Sequence, residues 1–516
     1  MKKIIFLIIA SLLVIGLVLP GCDGEPVEPE DIITIAVVGP LTDLQGQNHR
    51  DGAQMAAEEI NDAGGVDVGG TMYDVELVYV ETNEATEGED GSTGTANLQA
   101  VIGDVTFCVG GFRTEIVSVY REVAMDAGVL FMDCGAATGA LQFSVVTDYA
   151  NYKYWFKSTP YNETFLVKSL LKMTATIGGG VFKATLAAAD ASLDPNYKLS
   201  NAVGGKVRVE ILMENAAWCA GMIPAAQYYL PLLGFNVTDT TLVSPTSADI
   251  SAELSAIAAR YPHIIFTAFS GSVGAVYSIQ KDSLGIPALS LGINVPGQQI
   301  SHWANTGGAC KGEIMLDTWA VGLNTTPLTH DWFEAFMTRT GRYPVYTAAT
   351  YDSINAVCTA IDETNSLDVD VLIPWLEDPA NAFTEGVGTP VTTYYQMPAI
   401  EIAPDVLYAL NQSQKEELYG TSWAYVQSEW MVGWYDPGTG PIQQPHIAHD
   451  TVYGPGYQTG IGSQWQEIAS AGVKVGIWPI YLGPAYDAPL TDQYGEWNFQ
   501  YPGTESPYID VAAFFP

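Results

Sequence analysis

Alternation between short β-branched runs and helical stripes constrains the fold of this sequence most strongly. Residues 32–38 are typical of a strand, and Ala53, Ala56, Ala57 and Ile60 follow at helical spacing. The alternation continues, with further strands predicted at 73–80, 105–109, 129–132, 207–213, 236–243, 264–268 and 288–291. Strands that alternate with helices form parallel sheets covered by helices on both faces. The sequence therefore predicts an α/β protein with two parallel sheets, one early and one in the middle of the chain.

The charge balance excludes whole classes of partner. The 516 residues include 58 Asp and Glu but only 20 Lys and Arg, a formal net charge of −38 at pH 7. Nucleic-acid binding requires clusters of Lys and Arg that displace counterions from phosphates. No nucleic-acid partner is therefore predicted. Hydrophobic residues make up 48% of the chain, which is too many for a mostly disordered protein.

The N-terminus predicts export and lipid anchoring. Lys2 and Lys3 precede an apolar run, Ile4–Leu19, that suits a signal peptide and is shorter than the ~20 residues that span a bilayer. The run ends in Leu-Pro-Gly-Cys, which resembles the bacterial lipobox. Residues 1–21 are therefore predicted to be a lipoprotein signal peptide, with lipidation at Cys22. An ordinary export signal or an uncleaved anchor are the alternatives, and both also place the protein outside the cytoplasm.

An acidic segment follows the predicted lipidation site. Residues 22–31 contain two prolines and several carboxylates, as expected of an extended tether. The predicted location is the extracytoplasmic face of the cell membrane, periplasmic or cell-surface, with a lipid as the anchor. No later segment is predicted to be apolar for long enough to span the membrane.

Five further cysteines remain, and an odd number cannot all pair. Cys108 and Cys134 fall at two strand-like runs that are predicted to be neighbours, so one disulfide is conceivable. Buried free thiols are the favoured interpretation. No C-x-x-C spacing supports a zinc site.

Signals for catalysis, metals and cofactors are weak. The sequence has neither the G-x-S-x-G elbow of hydrolases nor a phosphate-binding loop. His446, His449 and Asp450 are side chains of metal-binding type, but no further ordered ligand accompanies them. We therefore predict a protein that is not an enzyme and that holds no cofactor and no metal.

Several separated blocks resemble one family. The segment ITIAVVGPLTDLQGQNHRDGAQMAAEEINDAGGV, at 33–66, is similar to the opening of type I periplasmic binding proteins of the branched-chain amino acid and amide transport group. Later blocks agree in sequence and order, at 109–132, 154–162, 207–222, 248–266, 346–357, 449–468 and 473–479. The resemblance implies two Rossmann-like lobes that are joined by a hinge and close over a small-molecule ligand. It also implies ABC transporter permease and ATPase subunits as partners, and a ligand-sensing receptor of the same fold is the alternative.

The resemblance also suggests how the chain divides. The first lobe is predicted at 32–158 and 320–440, with an insertion at about 378–439 that is rich in Tyr and Trp. The second lobe is predicted at 159–319 and 441–480, and residues 481–516 form a C-terminal extension. Packing of the aromatic residues on the lobes is favoured over a surface that faces a partner.

The candidate ligand contacts lie in loops that follow predicted strands. In open parallel sheets, ligands bind beyond the carboxyl ends of strands, near helix N-termini. The predicted contacts are Thr42, Gln47, Arg113, Thr114, Gly135, Ala136, Ala137, Trp218, Ser270 and Asn294. Three of them have other interpretations: Thr114 as a helix N-cap, Arg113 in an ion pair with Glu115 or a neighbour, and Trp218 as a core residue.

The second lobe departs from the pattern of amino-acid binders. Trp218 stands where the family has a tyrosine that closes over the ligand, and Ser270 or Gly271 stands where another aromatic residue is expected. Asn294 aligns with the acidic residue that pairs with a ligand ammonium group. A buried ammonium without an anionic partner is costly. We therefore predict an amide, a urea-like compound or an organic acid as a better ligand than a branched-chain amino acid.

Overall fold

A computed structural model describes residues 31–84, 86, 88–160, 162–321, 325–378, 380–388, 394, 434–436, 440–442, 449–451 and 460–478. The predicted signal peptide, Cys22 and the C-terminal extension lie outside these residues. So do nearly all of the predicted tether and most of the predicted insertion.

The first sheet has six strands in the order β2-β3-β1-β4-β5-β6. The strands are β1 (Ile32–Gly39), β2 (Val66–Val68), β3 (Thr71–Glu81), β4 (Phe107–Gly110), β5 (Leu130–Asp133) and β6 (Trp155–Lys157). All pairs are parallel except the β2–β3 hairpin. The central strands are continuous apolar runs because helices cover both of their faces.

The second sheet has seven strands in the order β15-β14-β11-β10-β9-β7-β8. The strands are β7 (Arg208–Glu214), β8 (Asn236–Val243), β9 (Ile264–Phe269), β10 (Leu289–Asn294), β11 (Ile314–Asp317), β14 (Ile461–Ile468) and β15 (Ala471–Trp478). Strands β7 to β11 pair in parallel, and β14 and β15 add an antiparallel hairpin at one edge. A separate hairpin consists of β12 (Trp434–Asp436) and β13 (Gly440–Ile442).

Helices from two parts of the chain cover the first sheet, and together they form the first lobe. They are α1 (Leu44–Asp62), α2 (Ser92–Gln99), α3 (Thr114–Ala127), α4 (Gly139–Thr147), α5 (Tyr149–Tyr152), α13 (Thr329–Thr340), α14 (Thr350–Thr364) and α15 (Val369–Glu377). The late helices join the early strands in one apolar core, in which Ile354 of α14 and Ala53 of α1 are fully buried.

The second sheet and its own helices form the second lobe. The helices are α6 (Glu163–Met173), α7 (Lys183–Ala189), α8 (Ala217–Ala220), α9 (Met222–Leu232), α10 (Ser251–Ala258), α11 (Val273–Ser283) and α12 (His302–Asn305). A π-helical segment, Thr174–Phe182, connects α6 and α7. One helical stretch in the described chain, Glu163–Ser192, is long and apolar enough to cross a membrane, so the sequence prediction that no such segment exists is wrong. Its apolar residues, among them Phe165 and Leu170, pack in the core of the second lobe.

The described chain passes between the lobes at three places. It leaves the first lobe after β6, returns after β11, and leaves again after residues 449–451. These last residues lie beside β6, because the Lys157 amide donates to the His449 carbonyl oxygen at 2.8 Å and the Thr451 amide donates to that of Lys157 at 2.9 Å. The three crossings form the hinge.

The described cysteines and His449 are buried in the fold. Cys108, Cys134, Cys219, Cys310 and Cys358 are buried free thiols, so the disulfide between the first two is not formed. The His449 ring is buried, with Nδ1 2.9 Å from the Trp155 carbonyl oxygen and Nε2 2.6 Å from a carboxylate oxygen of Glu377.

Candidate functional site

A cavity of about 480 Å³ lies between the two lobes. Its lining includes residues that follow five parallel strands, β1, β4, β5, β7 and β9, at their carboxyl ends. This is where open α/β sheets bind ligands. The volume falls within the ~300–1,000 Å³ that is usual for small-molecule sites.

Six of the predicted contact residues line this cavity, and four do not. The lining residues are Arg113, Thr114, Gly135, Ala137, Trp218 and Ser270. The predicted contacts outside the lining are Thr42, Gln47, Ala136 and Asn294.

Each residue outside the lining has a structural reason for its position. The Gln47 amide donates to the Thr42 carbonyl oxygen at 2.8 Å, and its oxygen accepts a 2.6 Å hydrogen bond from Arg342, so Gln47 lies along the side of α1. Ala136 is fully buried, and its amide donates to Asp133. The Asn294 side-chain amide donates to the carbonyl oxygen of Gly274 in α11 at 3.2 Å. Asn294 therefore gives no information about a ligand ammonium group.

A buried ion pair builds the turn after β5. Oδ1 of Asp133 accepts hydrogen bonds from the amides of Gly135, at 3.0 Å, and Ala136, at 2.9 Å. Its other oxygen lies 3.0 Å from Nζ of Lys157, and both side chains are fully buried. A Cβ on Gly135 would lie 1.6 Å from the Gly111 carbonyl oxygen, so only glycine fits at this position. The turn thus holds a fixed shape at the cavity wall.

Thr114 is the first residue of α3, and it does not cap that helix. The capping position is Arg113, and no side chain caps the helix there. The Thr114 hydroxyl is buried and has no hydrogen-bond partner among the described residues. The first amides of a helix also lack intrahelical partners. This end of α3 therefore presents donors to the cavity.

Arg113 is held by its backbone rather than by an ion pair with Glu115. Its amide donates to the Glu84 carboxylate at 2.6 Å, and Nη1 of its guanidinium lies 3.3 Å from the Glu84 carbonyl oxygen. Burial raises the pKa of Glu84 to about 7. Among the described residues, no carboxylate forms a salt bridge with Arg113. Arg113 is also the only Lys or Arg in the described lining of the cavity.

Glu214, at the end of β7, is a central residue of the site that the sequence analysis missed. It accepts hydrogen bonds from the Trp218 indole at 2.6 Å, from the Ser270 amide at 2.9 Å and from the Gly271 amide at 3.1 Å. The Ser270 hydroxyl also donates to it. Two predicted contact residues are thus fixed by one buried carboxylate. An acidic residue at the carboxyl end of a buried parallel strand is the signal that could have identified it.

Trp218 is both a core residue and a cavity residue, so its two interpretations are compatible. It is 9% exposed, belongs to the core of the second lobe and also lines the cavity. Phe112 and Tyr346 line the cavity from the first lobe. Aromatic rings therefore stand on both sides of the cleft.

Two α/β lobes around a cleft at the carboxyl ends of their strands define a two-lobed solute-binding protein. A family model for periplasmic binding proteins matches residues 32–396, and the chain belongs to this family. The predicted family and α/β fold are therefore confirmed. No curated protein matches the sequence.

Solved structures with low sequence identity share the fold. The leucine-binding protein LivK of Thermotoga maritima has 18% identity, with a TM-score of 0.54, and the match covers 70% of this chain and 91% of LivK. A solute-binding protein of an ABC transporter from Rhodopseudomonas palustris, in complex with 4-hydroxybenzoate, has 14% identity over 87% of this chain and 96% of its own, with a TM-score of 0.58. An ABC transporter substrate-binding protein from Desulfitobacterium hafniense, in complex with Leu, has 16% identity over 86% of this chain and 99% of its own, with a TM-score of 0.55.

Proposed function

We propose that this protein captures a small organic acid in the cleft between its lobes and delivers it to an ABC transporter. The observation that carries the proposal is the position of Arg113 and Thr114 at the N-terminal end of α3. This end supplies the only cationic side chain in the described lining and a buried hydroxyl without a partner.

A ligand carboxylate fits the first-lobe side of the cavity. A guanidinium binds a carboxylate through two parallel hydrogen bonds, and Arg113 has one hydrogen bond from its guanidinium within the described chain. The N-terminus of a helix also attracts anions. The Thr114 hydroxyl can donate to the same group.

The remainder of the ligand faces aromatic rings and hydrogen-bond acceptors. The aromatic residues Phe112, Trp218 and Tyr346 line the cavity, and so does Glu115 with its carboxylate. An aromatic acid that also carries a neutral hydrogen-bond donor matches this set of residues. The 4-hydroxybenzoate of the Rhodopseudomonas palustris complex has this chemistry, so it is the probe that we choose.

Delivery to a transporter is supported by the family and by the descriptions of similar structures. Two of the proteins compared above are described as components of ABC transporters. The lipobox-like sequence before Cys22 supports attachment to the outer face of the membrane. Loss of uptake of the bound acid in a strain without this protein would test the delivery step. A normal uptake rate together with altered gene expression would favour the sensor alternative.

A thermal-shift panel tests the ligand class. The purified protein is heated with 4-hydroxybenzoate, benzamide, urea, acetamide and leucine. A ligand at 100 times its dissociation constant adds about 2.7 kcal/mol to the free energy of unfolding. The proposal expects 4-hydroxybenzoate to raise Tm more than leucine does. A larger shift with leucine would show that the cleft is an amino-acid site.

A further inference from the structure

The carboxylate of Glu214 occupies four hydrogen-bond donors of the second lobe at the cavity. One oxygen accepts from the Trp218 indole and the Ser270 hydroxyl, and the other accepts from the amides of Ser270 and Gly271. A carboxylate has about four acceptor positions. All of them are therefore filled by residues of the second lobe.

No cation balances this carboxylate within the described chain. Glu214 is fully buried, and none of the salt bridges formed by the described residues includes it. Burial raises its pKa, while the hydrogen bonds from Ser270, Trp218 and Gly271 lower it. Burial and the charges of Asp133, Glu84 and Glu214 raise the pKa of Tyr346, which lines the same cavity. The second-lobe wall of the cavity therefore has a buried carboxylate that no cation of the described chain balances.

The geometry points to a specificity role for Glu214: it fills an anion-binding site in the second lobe and thereby restricts the anionic end of the ligand to Arg113 and Thr114 in the first lobe. Glu214 acts as a positioning residue, because it holds Trp218 and Ser270 and has no acceptor position left for the ligand. The second lobe then accepts a neutral ligand end and rejects an anionic one. This inference rests on the proposed capture of an organic acid.

Two probes with the same ring test the rejection of a second anion. The first is 4-hydroxybenzoate, and the second is benzene-1,4-dicarboxylate, in which a carboxylate replaces the hydroxyl group. Calorimetry should show that the wild-type protein prefers the first probe and that Glu214→Gln lowers this preference at least tenfold. Glu210→Gln is the matched control, since Glu210 is a buried carboxylate on the same strand that pairs with Arg260 outside the cavity. An unchanged preference in Glu214→Gln would overturn the inference.

A second experiment uses acetate in place of an aromatic probe. In Glu214→Ala, the four donors surround the space from which a carboxylate has been removed. Acetate has the size and the charge of the missing group. Acetate should therefore raise the Tm of Glu214→Ala in a saturable manner, relative to chloride at equal ionic strength, and should leave the wild-type Tm unchanged. No difference between acetate and chloride would overturn the inference. If the wild-type protein bound neither aromatic probe, the proposed ligand class would fail, while acetate would still decide whether Glu214 fills an anion site.

Discussion

Oε1 of Glu115 in the first lobe accepts a 3.0 Å hydrogen bond from the backbone amide of Ala217 in the second lobe. Glu115 lies in the first turn of α3, next to Thr114, and Ala217 begins α8, next to Trp218. The bond therefore connects the two walls of the cavity. Because it joins the lobes directly, we expect opening of the cleft to break it.

Replacement of Glu115 should weaken ligand binding by destabilising the closed form. A hydrogen bond to a charged group contributes about 1.5–3 kcal/mol, and a ligand that needs the closed form loses affinity when that form is less populated. We expect about a tenfold weaker affinity for 4-hydroxybenzoate in Glu115→Ala by calorimetry. Glu115→Gln retains the acceptor and should bind nearly as the wild type does. Equal affinity in Glu115→Ala would show that the bond does not contribute to closure.

Two buried carboxyls should make the protein less stable as pH rises from 6.5 to 8. Burial raises the pKa of Glu163 from 4.5 to about 8 and that of Glu84 to about 7. Their protonated forms stabilise the folded state below the unfolded pKa, and this contribution is lost as pH rises through the folded pKa. Burial lowers the pKa of His49 and His263 to about 4, so these rings destabilise the protein only below about pH 6.5.

Urea denaturation at pH 6.5 and pH 8 measures this effect. Each titrating group changes the free energy of unfolding by at most about 1.4 kcal/mol per pH unit. Glu163→Gln should reduce the pH dependence, and Glu334→Gln, at an exposed position, should retain it. A pH dependence in Glu163→Gln equal to that of the wild type would contradict the assignment to Glu163.

We predict that Lys474 and Asp317 contribute to the stability of the fold only when both charges of the buried ion pair are present. Lys474 of β15 lies 2.5 Å from Asp317 of β11, and both side chains are fully buried. Removal of one partner from a buried pair typically costs about 3–5 kcal/mol, because the other charge remains without compensation. We expect Lys474→Met to cost this much in urea denaturation, and Lys474→Met with Asp317→Asn to cost less. A double variant as unstable as the sum of the two single variants would show that the charges are not coupled.

The elements that local periodicity describes were predicted well. The strand predicted at 236–243 has the bounds of β8. The helical spacing that starts at Ala53 marks only the later part of α1, which begins at Leu44. Its first turns contain buried polar residues such as His49, whose Nδ1 lies 2.7 Å from the Thr350 hydroxyl. Such a partner is 301 residues away, so the local hydrophobic pattern does not reveal it.

The residues of the candidate site also divide into those that a local pattern predicts and those that depend on distant partners. Arg113 and Thr114 were found because a loop after a parallel strand predicts the cleft. Glu115 and Glu214 were missed because their roles depend on partners 102 and 56 residues away.

The predicted lipid anchor has a direct test. Cys22→Ser removes the thiol that would receive the lipid. The variant should lose incorporation of labelled palmitate and should move from the membrane fraction to the soluble or secreted fraction. Labelling that persists in Cys22→Ser would contradict lipidation at this residue.

Calorimetric titration with 4-hydroxybenzoate tests the central claim most directly. We predict one site per chain with a dissociation constant near 1 μM, which corresponds to about −8.2 kcal/mol. Arg113→Ala should weaken binding at least tenfold, and Arg339→Ala, at a surface ion pair with Glu58, should leave it unchanged. Absence of binding in the wild type, or equal binding in Arg113→Ala, would contradict capture of an organic acid through Arg113.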